Sequence, residues 1–296
     1  MYRVRNQLGC SDALQQSCTG KPVTVAVLDT GVYMHPDLEG RIVAFRDFVN
    51  DRNKVYDDSG HGTHVAGCIG GSGLLSGGKY KGIAPQCLLC IGKVLDQNGE
   101  GTIESMHRGL LWVMRNRYRY HIGVLNISVG IGDSGEKNKL AELLELLEVI
   151  WDAGIVVVCA AGNSGPKNAT ISPLGNSRKV ITVGCHEGGY FGNRSNLCEN
   201  YSGRGDLFAL YRKPDIVAPG TDIKSCGSRG KTYVTKSGTS MATPIVSGAA
   251  ALLLQKYPQL SNEQVKHKMV YTAKDLGDSW TKQGWGMLDI AALLDG

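Results

Sequence analysis

Short apolar runs alternate with amphipathic stretches along most of this chain, and that alternation leaves few folds open. Val23–Leu28 is a strand-like run that stops at Asp29-Thr30-Gly31. Leu88–Leu95 is another, stopping at Asp96-Gln97-Asn98-Gly99, and Val124–Val129 ends at Gly130. Ile155–Cys159 leads into Ala160-Ala161-Gly162-Asn163. Between these lie helical spacings: Ile103, Met106, Leu110 and Val113 within Thr102–Arg119, then Leu140, Leu143, Leu144 and Leu147 within Leu140–Ile150. Strands that are apolar on both faces, separated by helices, predict a three-layer α/β fold. Its mostly parallel central sheet is covered by helices on both faces. In such sheets ligands sit beyond the carboxyl ends of the strands. Asp29, Ser128–Gly130 and Asn163 all fall at strand ends, so the topology gathers them on one rim.

Composition narrows the function classes. The chain has 296 residues with 42% hydrophobic content, enough for one sizeable core. No linker or repeat divides it, and the reading is an N-terminal extension over 1–22 before a single domain over 23–296. Net charge is +5, with 32 basic and 27 acidic residues intermixed. The one basic run, Arg115, Arg117 and Arg119, reads as a solvated helix end, so no nucleic-acid partner is expected. No apolar run reaches the roughly 18 residues of a membrane span, and the N-terminus lacks a secretory signal pattern. Nine cysteines, several inside apolar strand patterns, read as small hydrophobes in a reducing cytoplasm. Cys87 and Cys90 have CxxC spacing without a second pair to complete a zinc site.

Three segments carry chemistry. They are Val27-Leu28-Asp29-Thr30-Gly31, Asp58-Ser59-Gly60-His61-Gly62-Thr63-His64-Val65-Ala66-Gly67 and Ser237-Gly238-Thr239-Ser240-Met241-Ala242-Thr243-Pro244. In this order, with Ala160-Ala161-Gly162-Asn163 between the second and third, they resemble the subtilisin-like serine proteases, the intracellular bacterial members in particular. The resemblance runs from about Val23 to Gly284-Trp285-Gly286. It implies a serine endopeptidase with Asp29, His61 and Ser240 as catalytic triad and Asn163 as oxyanion donor. Each residue type suits its role. Ser240 opens a helix-like run over Thr243–Gln255, where the helix dipole favours developing negative charge. An imidazole takes and returns a proton near neutral pH. A carboxylate holds the imidazole tautomer and stabilises its cation. His64 lies one turn beyond His61 and is expected to be structural.

The resemblance also implies protein or peptide substrates bound as an extended strand beside Ser128-Val129-Gly130, with the opposite edge near Asn98–Gly101. Ile103 and Met106 would line an apolar pocket, or else face the core as ordinary helix residues. Ile131 and Ile171 depart from the family's glycines and predict a shallow apolar primary pocket suited to medium-sized residues such as Leu. His35-Pro36-Asp37-Leu38 matches a segment whose Asp binds structural calcium in the family, so Asp37 is a candidate ligand. The partner loop Gly70–Gly82 lacks the expected Asn, and the chemistry itself requires no cofactor. Residues 1–20 are too few for a propeptide domain and could lie over the cleft as a short inhibitor. Oligomeric state is not readable. The competing readings are a catalytically silent peptide-binding or regulatory relative and transfer of the acyl group to an amine. A nucleotide-binding enzyme is the weakest, because Gly70–Gly78 lacks the Lys-Ser/Thr of a P-loop.

Overall fold

The structure is a computed structural model that describes residues 1–12, 14–130, 137–192 and 194–295. In chain order the elements are α1 (Tyr2–Gln7), α2 (Leu14–Ser17), β1 (Thr24–Asp29), β2 (Ile42–Asp47), α3 (His61–Gly70), β3 (Leu88–Lys93), α4 (Ile103–Asn116), β4 (Ile122–Ile127), α5 (Lys137–Asp152), β5 (Val156–Ala160), β6 (Ile181–Cys185), β7 (Ile216–Ala218), β8 (Ile223–Cys226), β9 (Tyr233–Lys236), α6 (Thr239–Lys256), α7 (Asn262–Tyr271), α8 (Trp280–Gln283) and α9 (Ile290–Asp295). Strands β1 to β7 form one parallel sheet in the order β2-β3-β1-β4-β5-β6-β7, and β8 pairs antiparallel with β9. The expected strands are present, and three more not singled out from the sequence, β2 at one edge and β6 and β7 at the other, complete the sheet.

Burial explains this topology. Every residue of β1, β5 and β6 is buried, which a strand tolerates only when both sheet faces are covered. Helix α6 lies against β4, β5 and β6 with α3 beside it, while α4 and α5 pack on each other in the opposite layer. Helix α4 opens with a reciprocal cap, Thr102 accepting from the Ser105 N–H and Ser105 from the Thr102 N–H.

Helix α6 is apolar all round, with Met241–Leu253 buried. A Cβ added at Gly248 would sit 2.7 Å from the Ile83 Cβ, so glycine lets the helix lie this deep. The helix starts at Thr239 rather than Thr243, despite Pro244 inside it. The first turn is supported by Thr243 Oγ1 donating to the Thr239 carbonyl at 2.8 Å. That early start puts Ser240 in the first turn.

Residues 1–20 are not a cover over the cleft. Met1, Val4, Leu8, Cys10 and Cys18 are buried in the main core, because apolar spacing gives α1 an inward face. Cys18 Sγ meets the Leu252 carbonyl, the Thr19 N–H donates to Gln255 Oε1 at 2.7 Å, and the Ile290 N–H donates to the Leu8 carbonyl. The first two contacts lie at the far end of α6 from Ser240.

Cys185 and Cys198 form a disulfide, although Cys185 sits in an apolar strand that reads as simple packing. The seven other cysteines, all buried, form none. No helix among the described residues is long and apolar enough to cross a membrane.

Candidate active site

The strand ends meet the helix starts on one rim. Asp29 closes β1 and is fully buried, while His61 is the first residue of α3. His61 Nδ1 lies 2.7 Å from Asp29 Oδ1, which also accepts the Thr30 N–H at 2.7 Å. The Asp29 carboxylate therefore holds the Nδ1–H tautomer and leaves Nε2 as the basic nitrogen. Close approach of β1 to α3 requires Gly62. A Cβ there would collide with the Gly31 carbonyl oxygen and lie 3.1 Å from Asp29 Oδ1.

Asp57 clasps this junction. Its Oδ1 accepts from Thr30 Oγ1, the Ser59 N–H and the Gly60 N–H, and its Oδ2 from the Thr63 N–H and Thr63 hydroxyl. Thr30 Oγ1 in turn accepts the Gly62 N–H at 2.9 Å. The start of α3 has a glycine N-cap without a capping side chain, so Asp57 satisfies N–H groups that would otherwise be orphaned. Beneath it, the fully buried Lys93 donates to Asp58 Oδ1, the Thr30 carbonyl and the Leu95 carbonyl at 2.7–2.8 Å.

Ser240 is half-buried in the first turn of α6. Asn163 follows β5 and is exposed. Its Oδ1 accepts both the N–H and the hydroxyl of Thr239 at 3.1 Å. A backbone N–H only donates, so the Thr239 contact fixes which end of the amide is oxygen. Asn163 Nδ2 is the donor that remains, beside the residue that precedes Ser240.

A sequence model of the subtilase family, peptidase S8, matches residues 20–286. The chain belongs to the subtilase family. It is 43% identical over 284 residues to Serine protease AprX of Bacillus subtilis (strain 168), a match covering 90% of this chain and 63% of AprX. It is 35% identical to Subtilisin DY of Bacillus licheniformis, covering 94% of this chain and 92% of that protein. Among solved structures it superposes on Sphericase with a TM-score of 0.84 at 28% identity, covering 96% of each chain. A cold-adapted subtilisin-like serine proteinase gives a TM-score of 0.71 at 32% identity, covering 92% of this chain and 88% of the other. The chain is accordingly a subtilisin-like serine endopeptidase, and nothing in these matches supports a silent relative.

The two histidines of this subtilase are electrostatically distinct. Burial pulls the His61 pKa down, but the charge and hydrogen bond of Asp29 outweigh it and lift the value above the ordinary 6.5. His64 has no such partner. Burial pushes it down to about 3, and the neutral ring joins the Ile223 carbonyl through Nε2 at 2.9 Å. His64 is thus neutral scaffold at any working pH.

The binding segments divide. Ser128 and Val129 are buried, and Gly130 is exposed with open space at its Cα. Ser128 is tied to α6 through Asn126, whose Nδ2 donates to Ser128 Oγ and whose Oδ1 accepts from Ser247. Ile103 and Met106 are packed into the core at 6% and 1% exposure, the alternative kept open above. The cavity beside them, about 400 Å³, is lined instead by Phe48, Val94, Asp96, Gly101, Thr102 and Ser105, among others. Ile131 lies outside the described residues. Ile171 is half-buried, and its neighbour Ser172 is the residue that touches the end of β5. Ser172 Oγ donates to the Ala160 carbonyl at 2.7 Å, and its N–H to the Ala161 carbonyl at 2.8 Å.

The calcium candidate has a different environment from the one its motif implies. Asp37 Oδ1 accepts the Leu75 N–H at 3.1 Å and Oδ2 the Tyr233 hydroxyl at 2.7 Å. Its buried neighbours are His35 and Cys226. His35 Nδ1 accepts the Asp37 N–H and Nε2 meets the Thr232 carbonyl. One engaged carboxylate with nitrogen and sulfur neighbours does not fit a cation that takes six to eight oxygens.

Sequence reasoning passed over Asp57, Thr30, Lys93, Thr239 and Ser172. The signal for Asp57 is present: an Asp four residues before His61, separated by Asp-Ser-Gly, reads as a cap for the coming helix.

Proposed function

We propose that Ser240 is the nucleophile, His61 the general base, Asp29 its orienting carboxylate and Asn163 the side-chain oxyanion donor of this endopeptidase. The observation that carries the proposal is the 2.7 Å Asp29–His61 contact together with an Asn163 amide oriented by Thr239. Ser240 Oγ attacks the scissile carbonyl carbon as its proton passes to His61 Nε2. The carbonyl oxygen becomes an anion and takes hydrogen bonds from Asn163 Nδ2 and the Ser240 N–H at the positive end of α6. Imidazolium forms next to the buried Asp29 carboxylate, which stabilises it. His61 then gives its proton to the leaving amine, and the acyl group stays on Ser240 Oγ. A water, deprotonated by His61, releases the acid and restores the serine.

Substrate enters as an extended strand beside Ser128-Val129-Gly130. The side-chain-free Gly130 and the open space around it suit backbone pairing, which tolerates many sequences. Ile171 is apolar and sits with Ser172 beside the rim, which favours medium-sized apolar residues before the cut. The seven buried cysteines outside disulfides favour a cytoplasmic setting, and the single Cys185–Cys198 disulfide counts against it. Thiol counting by alkylation of the protein drawn from its own cells tests that setting; blocked thiols beyond Cys185 and Cys198 would refute it.

A fluorophosphonate probe tests the catalytic assignment. The adduct is expected on Ser240 and should be lost in His61→Ala. Labelling at another serine would overturn it.

A further inference from the structure

Glu187 is a charged group that the triad chemistry does not use. Its side chain is completely buried. Its Oε1 accepts the N–H groups of Gly220 and Thr221 at 2.8 and 2.7 Å. Its Oε2 meets Arg3 Nη1 at 2.6 Å, and Arg3 Nη2 donates to the Thr221 carbonyl at 2.6 Å. The Gly220 carbonyl accepts the Gly238 N–H at 3.0 Å, and Gly238 is the N-cap of α6. Gly238 stands directly before Thr239 and Ser240, and a Cβ built on it would lie 3.5 Å from Asn163 Nδ2. One chain of contacts thus runs from Arg3 through Glu187 and Gly220 to the backbone that presents the Ser240 N–H.

The geometry points to Glu187 as a positioning residue for the oxyanion site, with Arg3 of α1 as its counter-charge; this rests on the reading of Ser240 as nucleophile. A buried carboxylate is held in place only while its partners are. Gly220 has no slack of its own. A Cβ on it would meet Cys185 Sγ and the Gly238 carbonyl oxygen, both at 2.6 Å. Without Arg3 the carboxylate loses its counter-charge and draws in water, and its two backbone hydrogen bonds loosen. Gly220 and Gly238 then relax together, and the Ser240 N–H moves off the position where the oxyanion forms. A displacement of 1 Å at such a site costs up to about 100-fold in rate. The N-terminal segment is therefore part of the assembled site, and removing it lowers activity. An inhibitory cover would have the opposite sign.

The test compares the parent with Arg3→Ala, Arg3→Lys and Glu187→Gln. The readouts are the fluorophosphonate labelling rate, kcat and KM on a peptide anilide, and Tm. Arg3→Ala and Glu187→Gln should lower both kcat and the labelling rate by roughly tenfold, within the range expected for remote positioning. KM should hardly change, and Arg3→Lys should recover part of the loss. A folded Arg3→Ala with the parental kcat and labelling rate would show that the pair is only structural, whatever its Tm. If Arg3→Ala does not fold, Arg3→Lys decides: slowed labelling at unchanged KM supports the proposal, and parental labelling at lowered Tm overturns it. A parent that is not labelled at all would sink the Ser240 reading instead.

Discussion

Replacing Asp57 should damage both stability and catalysis, because one carboxylate serves five donors at the start of α3. Those donors are Thr30 Oγ1, the Ser59, Gly60 and Thr63 N–H groups and the Thr63 hydroxyl. A hydrogen bond to a charged group is worth about 1.5–3 kcal/mol net. The two hydroxyls can find other partners, and the Ser59 N–H is partly exposed. The buried Gly60 and Thr63 N–H groups cannot, so Asp57→Ala should cost about 3–5 kcal/mol. Unfolding entropy near 2.1 cal/mol/K per residue gives about 0.6 kcal/mol per degree for a chain this long, so Tm should drop by about 5–8 °C. Melting is best followed in a Ser240→Ala background, where self-digestion is removed. In the active parent the same change should lower kcat, because His61 is the first residue of the helix that Asp57 anchors. Asp57→Asn keeps one accepting oxygen and should lose roughly half as much stability. An Asp57→Ala protein that melts with the parent and keeps its kcat would refute this account of how His61 is held.

Other consequences are as direct. Asn163→Leu, which keeps the volume and removes the donor, should lower kcat by about 10²–10³ with KM little changed; an equal rise in KM with kcat intact would point to ground-state binding instead. The raised His61 pKa means that the base is lost as pH falls through a value above 6.5, so kcat/KM should drop on the acid side with its midpoint above 6.5. In Asp29→Asn burial is no longer opposed, and the midpoint of the residual activity should move below 6.5. Chelator should leave Tm unchanged if Asp37 is held by protein donors alone, whereas Tyr233→Phe should cost about 1–2 kcal/mol by leaving Oδ2 unpaired; a large chelator effect would restore the calcium reading.

Residues whose partners lie close in sequence, or whose motif is dense, were legible before folding. The apolar runs at Val23–Leu28 and Ile155–Cys159 became β1 and β5 because a strand buried on both faces has little freedom in composition. Asp29, His61, Ser240 and Asn163 stood out because four short segments carry them, and the topology brings all four to one rim. What stayed hidden depends on distant partners. Nothing near Glu187 announces that its partners are Arg3 and the backbone of Gly220 and Thr221. The Cys185–Cys198 disulfide joins a strand to a 3-10 turn only 13 residues on, and nothing in the spacing singles that pair out among nine cysteines. Ser172 stayed hidden because its partners, the Ala160 and Ala161 carbonyls, lie across an irregular segment. The calcium expectation rested on a motif around Asp37, whereas the outcome depends on Tyr233, almost 200 residues away.

Hydrolysis of an unfolded protein by the parent and by Ser240→Ala, at equal concentration and near pH 8, addresses the central assignment. Cleavage by the parent and none above background by the variant is the expected result. Equal cleavage by both would contradict it.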